Sequence, residues 1–224
     1  RLHERALYVF ATLEPELQMA GFFGSGPAPH WAAASPSPES LASCGSAMTR
    51  LDAGVESHTS AWPLDCAAQG GGAAAGGTVL IVRRAAANPG LPEAGRVQLL
   101  DTETAPAMRQ LRWDGALPAE AAAYRDVLWR DLNLRAYYVA RAADADSTTP
   151  ALRVKTLTSV AGRPAYVDTE VMPGVEQLSI ELLPSPARTT SAKLTLAVQA
   201  DAADTRRGQA PARLTVTRHV ALRN

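Results

Sequence analysis

The sequence predicts an α+β fold in which one long N-terminal amphipathic helix packs on a largely antiparallel β-sheet. Three observations support this: residues 1–21 show helical spacing of apolar side chains, residues 22–77 show no sustained period, and residues 78–224 contain many short β-rich runs. A chain of 224 residues is long enough for one large core. We therefore interpret residues 1–224 as a single domain made of these three parts.

The helix prediction rests on an apolar stripe. Placed at 100° per residue, one set of apolar side chains falls within an arc of about 100°, as expected of a helix that lies on a core. Gly21 ends the pattern. The residues that we expect to pack the helix on the sheet are Leu2, Ala6, Val9, Phe10, Leu13 and Leu17.

The outer side of this helix is not cleanly polar. Leu7, Tyr8 and Met19 lie off the stripe, whereas Glu14 and Glu16 point in different directions and are interpreted as solvated. Two interpretations of the apolar residues stay open. They form a contact with a neighbouring subunit, or they are single exposed apolar residues of the kind that most protein surfaces carry.

Residues 22–77 are rich in Gly, Ser, Ala and Pro and read as a long loop, in which "GGGAAAGG" resembles a flexible linker. Both cysteines, Cys44 and Cys66, lie in this loop, where free thiols would have little packing role. We predict a disulfide that pins the loop, with Trp31 and Trp62 as apolar anchors; the alternative is two unpaired thiols. A disulfide implies an oxidising compartment such as a periplasm.

After residue 77 the sequence changes to short runs with β-strand alternation. "ADADSTTP" and "DAADTRRGQAP" have the composition of turns between antiparallel strands. A short helix is also predicted at residues 118–129, and another at residues 39–48 within the loop described above. The β-rich runs are "TVLIVRR", "RVQLLDT", "MRQLRWD", "LRAYYVAR", "ALRVKTLTSV", "VEQLSIELL", "KLTLAVQA" and "ARLTVTRHVAL".

Composition and motifs argue against several functional classes. The 22 basic residues equal the 22 acidic residues, so the overall charge does not favour nucleic acid. The four histidines show no metal-ligand spacing, and the chain has neither a G-x-S-x-G elbow nor a P-loop. We expect no enzyme activity, no cofactor and no metal site. Without an apolar run of about 20 residues the chain is expected to be soluble.

Both ends of the chain resemble PilW-type minor pilins of type IV pili. "RLHERALYVFATLEPELQMAGFFGSG" is similar to the second half of the family's long first helix and the Gly-rich exit that follows it. Later segments resemble the family's "l-v-x-G-V-e-x-L-x-i" and closing "t-V-a-L-R-N" patterns. The matching residues are Arg1, Leu2, Glu4, Leu13, Leu17, Met19, Ala20, Gly21, Phe22, Gly174, Val175, Glu176, Leu178, Leu222, Arg223 and Asn224.

The resemblance implies a pilin-like fold and a role in assembly. Such a subunit helps to prime type IV pilus assembly and sits in a minor-pilin complex at the pilus tip, with other minor pilins and a large tip adhesin as partners. The family's apolar half-helix holds the subunit in the inner membrane before assembly. We therefore expect this chain to be the soluble part of a longer protein that moves from the inner membrane and periplasm to a surface pilus of a Gram-negative bacterium.

Two other functions stay open. A J-type minor pseudopilin of a type II secretion system shares the helix-then-sheet plan, although the Ala-Gly-Phe helix exit and the "ALRN" terminus favour the pilin. From a different class, the domain is an extracellular adhesive or ligand-binding module that uses the loop of residues 22–77.

Overall fold

The computed structural model describes residues 1–31, 37–59, 61–142, 149–185, 188–200 and 210–222. In these residues the chain is mostly β, with eleven strands in two sheets. The helices are α1 (Leu2–Gln18), α2 (Glu39–Ala42) and α3 (Ser46–Thr49). The strands are β1 (His30–Trp31), β2 (Val55–His58), β3 (Val79–Ala85), β4 (Gln98–Asp101), β5 (Gln110–Arg112), β6 (Leu128–Ala140), β7 (Ala151–Val160), β8 (Arg163–Pro173), β9 (Val175–Ser185), β10 (Arg188–Gln199) and β11 (Arg213–Ala221).

The large sheet has eight strands and is built around the long strand β6. Its main path runs β1-β5-β4-β6-β3-β2, and β7 also pairs with β6 and carries β8. Strand β6 pairs with β4 through residues 128–131, with β3 through residues 132–137 and with β7 through residues 135–140. The pairing of β1 with β5 is parallel, which makes the sheet mixed.

The small sheet has three antiparallel strands in the order β11-β10-β9. The β6–β7 and β10–β11 pairs are antiparallel, as the turn sequences between them predicted. Much of both turn sequences lies outside the described residues.

Hydrophobic clusters cover both faces of the large sheet. On one face, Leu80 and Val82 of β3 join a cluster with α1 and the inner face of the small sheet. On the other face, Val79 and Ile81 join a second cluster with residues from the segment that follows α1, among them Met48. Because β3 is covered on both sides, its first four residues, 79–82, form a continuous apolar run rather than an alternation.

The predicted fold class is wrong. The chain is not a long helix on one largely antiparallel sheet, because its strands divide between a mixed eight-stranded sheet and a separate three-stranded sheet. The longest helix in the described part of the chain, α1, has 17 residues, and its buried side contacts a cluster supplied by both sheets. The pilin-like arrangement implied by the resemblance is corrected with it. Alternation shows that a segment is a strand, but not which sheet it joins.

Two local predictions also change. In the described positions of residues 22–77 the chain forms two strands and two short helices, and each of these is too short to show a period. The helix predicted at residues 118–129 is reduced to a 3-10 turn at Ala121–Ala123, because β6 begins at Leu128 and pairs Trp129 with Leu100 of β4. Strand pairing there outweighs the helix propensity of the alanines.

None of the helices formed by the described residues combines the length and the apolarity needed to span a bilayer.

Candidate subunit interface

Helix α1 buries the side that the stripe predicted. Its other side exposes apolar residues, together with Arg1, His3 and Glu4 at the N-terminal end. Ala6, Val9, Phe10, Leu13 and Leu17 are at most 1% exposed. Leu2, at the start of the helix, is partly buried against the same cluster. These contacts hold the helix on the domain and leave its other side open to partners.

The open side of α1 carries the apolar residues predicted for an interface. Leu7 is 39% and Tyr8 53% exposed, whereas Met19 is half-buried. Ala11 and Pro15 are also exposed and lie between Tyr8 and Met19 at spacings of three and four residues, which places them on one side of the helix. The line from Tyr8 to Met19 therefore carries no charged side chain.

Glu16 anchors the C-terminal turn of α1 on the large sheet, contrary to its interpretation as solvated. Its carboxylate accepts hydrogen bonds from Arg84 of β3 (Nη2 to Oε1, 2.8 Å) and from Arg135 of β6 (Nη1 to Oε1, 2.5 Å). Glu16 is only 5% exposed. A carboxylate can be buried here because two guanidinium groups pair with it.

Other contacts fix the rest of α1 on the small sheet. Glu14 accepts a hydrogen bond from Arg218 of β11 (2.7 Å), and the Arg218 guanidinium lies 4.8 Å from the centre of the Phe10 ring. Near the helix N-terminus, Arg5 donates to the carbonyl of Gln199 (2.9 Å). The outer side of α1 is therefore presented by a helix that is fastened at both ends.

Asp101 of β4 holds the segment that follows α1. Its carboxylate is 3% exposed and accepts hydrogen bonds from Arg109 Nε (2.9 Å), Arg130 Nε (3.0 Å) and Ser25 Oγ (2.8 Å). Burial raises the pKa of Asp101, but these hydrogen bonds outweigh burial and leave it lowered. Gly24 has a φ of +73°, and a Cβ there would lie 1.9 Å from the Asp101 carboxylate, so a side chain is excluded.

Cys44 and Cys66 form a disulfide in the segment that covers the second face of the large sheet. The carbonyl of Cys66 accepts a hydrogen bond from Trp62 Nε1 (2.8 Å), and the Trp62 ring meets Tyr138 edge-on with centroids 4.8 Å apart. Trp31 is half-buried and packs against the same cluster. Both tryptophans thus contact the core of the large sheet from this segment.

Arg83 of β3 binds the chain between Cys44 and β2 and holds it in place. Its fully buried guanidinium donates to the carbonyls of Met48 (3.2 Å) and Ala53 (2.5 Å), to the carbonyl of Ala47 and to the carboxylate of Glu56. Burial, followed by the charge of a neighbouring arginine, lowers the pKa of Arg83 to about 10. The group remains protonated at neutral pH, so each donor is retained.

The glycine-rich stretch "GGGAAAGG", residues 70–77, is hydrogen-bonded to the end of β6 rather than acting as a linker. The carbonyls of Gly70 and Gly72 accept hydrogen bonds from the amides of Ala142 (2.9 Å) and Arg141 (3.0 Å). No sequence pattern indicated these contacts, because they join main-chain groups of residues about 70 positions apart along the chain.

The sequence patterns did not reveal the charged groups that fasten α1 and the segments after it to the large sheet. Glu16, Arg83 and Asp101 are charged residues on segments that looked like a helix surface or a strand end, and no motif marks them. In the described parts of the chain, no group of three or more His, Cys, Asp or Glu side chains is arranged to hold a metal ion.

No family model, no curated protein and no solved structure matches this chain. The functional proposal therefore rests on the chain's own residues.

Proposed function

We propose that this chain is a minor pilin of the PilW type, a non-enzymatic subunit that helps to prime type IV pilus assembly and sits in a minor-pilin complex at the pilus tip. Its partners are other minor pilins and a large tip adhesin. It is held in the inner membrane before assembly and then exposed on the cell surface. The observation that carries the proposal is the set of exposed apolar side chains on the outer side of α1, Leu7 and Tyr8, which Ala11 and Pro15 continue toward the half-buried Met19.

The segments that resemble the family lie next to one another, which supports the proposal. Gly174, from the "GVE" segment, approaches α1 so closely that a Cβ at this position would lie 2.7 Å from Arg5 Nη1. β11, from the C-terminal segment, contacts α1 through Arg218 and Glu14. Arg223 and Asn224 lie outside the described residues. The proposal draws on these segments and on the α1 surface, not on the predicted fold class.

Helix α1 can serve two surfaces at once. Its buried stripe and the Glu16 ion pairs fasten it to its own domain. The apolar groups on the opposite side can stabilise a complex when a partner covers them and removes them from water. An aromatic residue that becomes fully desolvated in a complex is the type of side chain that contributes most to interface affinity, and a partner that covers Tyr8 would desolvate it in this way.

Charge substitution on α1 tests this proposal. L7E, Y8E and M19E variants are measured for binding to the purified soluble domains of candidate partner minor pilins. We expect at least one variant to weaken binding tenfold or more, because a charge would be buried without a partner. L91E is the matched control, since Leu91 is 84% exposed and lies in a loop outside α1. Unchanged affinity in all three α1 variants would contradict the proposal.

The gene sequence upstream of Arg1 separates the pilin from other classes. A prepilin cleavage junction followed by about 20 apolar residues is expected for a pilin or pseudopilin. Neighbouring genes for a major pseudopilin and its secretin would instead favour type II secretion.

A further inference from the structure

A cavity lies between the glycine-rich stretch and the segment that carries Trp62, next to the end of β6. Its volume is about 370 Å³, and its lining includes Thr59, Trp62, Val79, Arg141 and residues 72–77. This volume is at the lower end of the range for small-molecule sites, so the cavity has room for a ligand about the size of one ring. None of the lining residues belongs to α1, so the cavity is separate from the proposed subunit interface.

The charge of the cavity comes from Arg141. Among the described residues that line the cavity, Arg141 alone is charged. Within the described part of the chain its guanidinium makes one long hydrogen bond, from Nε to the carbonyl of Ala73 (3.4 Å), and no ion pair. Both terminal nitrogens are therefore available to an anion, and the planar guanidinium matches the two oxygens of a carboxylate.

The main chain around Arg141 fixes where this charge lies. The Arg141 amide donates to the carbonyl of Gly72 (3.0 Å), and a Cβ on Gly72 would lie 3.9 Å from Arg141 Cζ. Gly70 has a φ of +64°, and a Cβ there would lie 2.3 Å from the carbonyl oxygen of Ala142, so only glycine lets the stretch approach β6 this closely. The guanidinium is thus held against the glycine-rich stretch at the cavity.

The rest of the lining combines an aromatic residue with unused polar groups. Trp62 is fixed by its hydrogen bond to the carbonyl of Cys66 (2.8 Å) and by its contact with Tyr138. The Thr59 hydroxyl and the amides of Ala75 and Gly76 make no hydrogen bond to other described residues. A ligand that fits this lining has an apolar face for the indole ring and hydroxyl groups for the polar positions.

We propose that the cavity binds one acidic sugar unit, a pyranose ring that carries a carboxylate. The carboxylate pairs with Arg141, the C–H face of the ring contacts Trp62, and the ring hydroxyls bond to Thr59 and the glycine-rich stretch. A cationic ligand is disfavoured by Arg141, and a purely apolar ligand would cover the guanidinium without giving it a partner. The inference is independent of the pilus assignment, because it uses none of the α1 surface.

Titration of the whole chain with three small probes, followed by heteronuclear NMR, tests the inference. The probes are methyl glucuronide, methyl glucoside, which lacks the carboxylate, and acetate, which lacks the ring. We expect the glucuronide to shift the Trp62 indole signal and the amide signals of residues 72–77 in a saturable manner. A ligand of this size should bind with a Kd on the order of 1 mM. The glucoside and acetate should each bind at least tenfold more weakly.

Two arginine substitutions supply a matched pair of variants. R141M removes the guanidinium but keeps an apolar side chain, and it should weaken glucuronide binding at least tenfold. R163M is the control, because Arg163 is exposed at the start of β8 and does not line the cavity. Urea unfolding verifies that both variants fold. If R141M does not fold, the comparison of glucuronide with glucoside on the unsubstituted chain decides.

Several results would overturn the inference. These are the absence of saturable glucuronide binding, equal binding of glucuronide and glucoside, unchanged binding by folded R141M, and signal shifts that lie outside the cavity. Equal binding of acetate and glucuronide would mean that Arg141 accepts any carboxylate, and it would overturn the assignment to a sugar. The L7E, Y8E and M19E variants do not alter the cavity, so the subunit proposal and this inference can fail separately.

Discussion

Replacing Arg83 with methionine tests whether one buried guanidinium holds the segment between Cys44 and β2 in place. Arg83 is 0% exposed and donates to three carbonyl groups and to Glu56. R83M retains an apolar side chain in the core but removes every donor. The carbonyl groups would then be left without the partner around which the segment is folded.

The magnitude follows from the burial of each partner. Removing one member of a buried ion pair costs about 3–5 kcal/mol. The low end applies to the charge, because Glu56 is 15% exposed and also pairs with Arg50. An unsatisfied buried carbonyl costs a further ~1 kcal/mol or more. Water can reach some of the three carbonyls, so we expect R83M to lower the free energy of unfolding by about 4 kcal/mol.

Urea unfolding followed by circular dichroism and tryptophan fluorescence measures this loss. R50M is the matched control, because the Arg50 side chain is 54% exposed and a surface ion pair contributes about 0–1 kcal/mol. A loss below about 1 kcal/mol for R83M, or equal losses for R83M and R50M, would refute the assigned role of the buried guanidinium.

Two further predictions concern the same segment. Removing the disulfide in a C44A/C66A variant should lower the free energy of unfolding by about 3 kcal/mol, because the unfolded chain regains loop entropy. Dithiothreitol should lower the urea midpoint of the unsubstituted chain but not of the variant, and an unshifted midpoint would contradict this. Burial, then the charges of Arg83 and Arg50, lower the pKa of His58, so its contribution to stability is present above the unfolded pKa of about 6.5 and is lost as the pH falls. H58N should show a smaller loss of stability between pH 7 and pH 5 in urea unfolding, and identical pH profiles would argue against this linkage.

The sequence by itself determined the features that depend on residues close to one another along the chain. The spacing of apolar residues from Leu2 to Leu17 marks one side of a helix, and α1 buries that side over Leu2–Gln18. Two cysteines in one segment allow a single intramolecular pairing, and Cys44 is joined to Cys66. Alternation and turn composition likewise indicated the antiparallel β10–β11 pair.

Only the tertiary structure decided how the strands divide between sheets and which charges are buried. Glu16 pairs with Arg84 and Arg135, which are 68 and 119 positions away in the chain. Strand pairing likewise joins residues far apart, and side-chain alternation is the same whichever sheet a strand enters. Such choices depend on competition among many distant contacts, whereas a helical stripe depends on neighbours within one or two turns. This difference explains why the helix and its exposed apolar residues were visible in the sequence, whereas the mixed sheet and the Arg83 network were not.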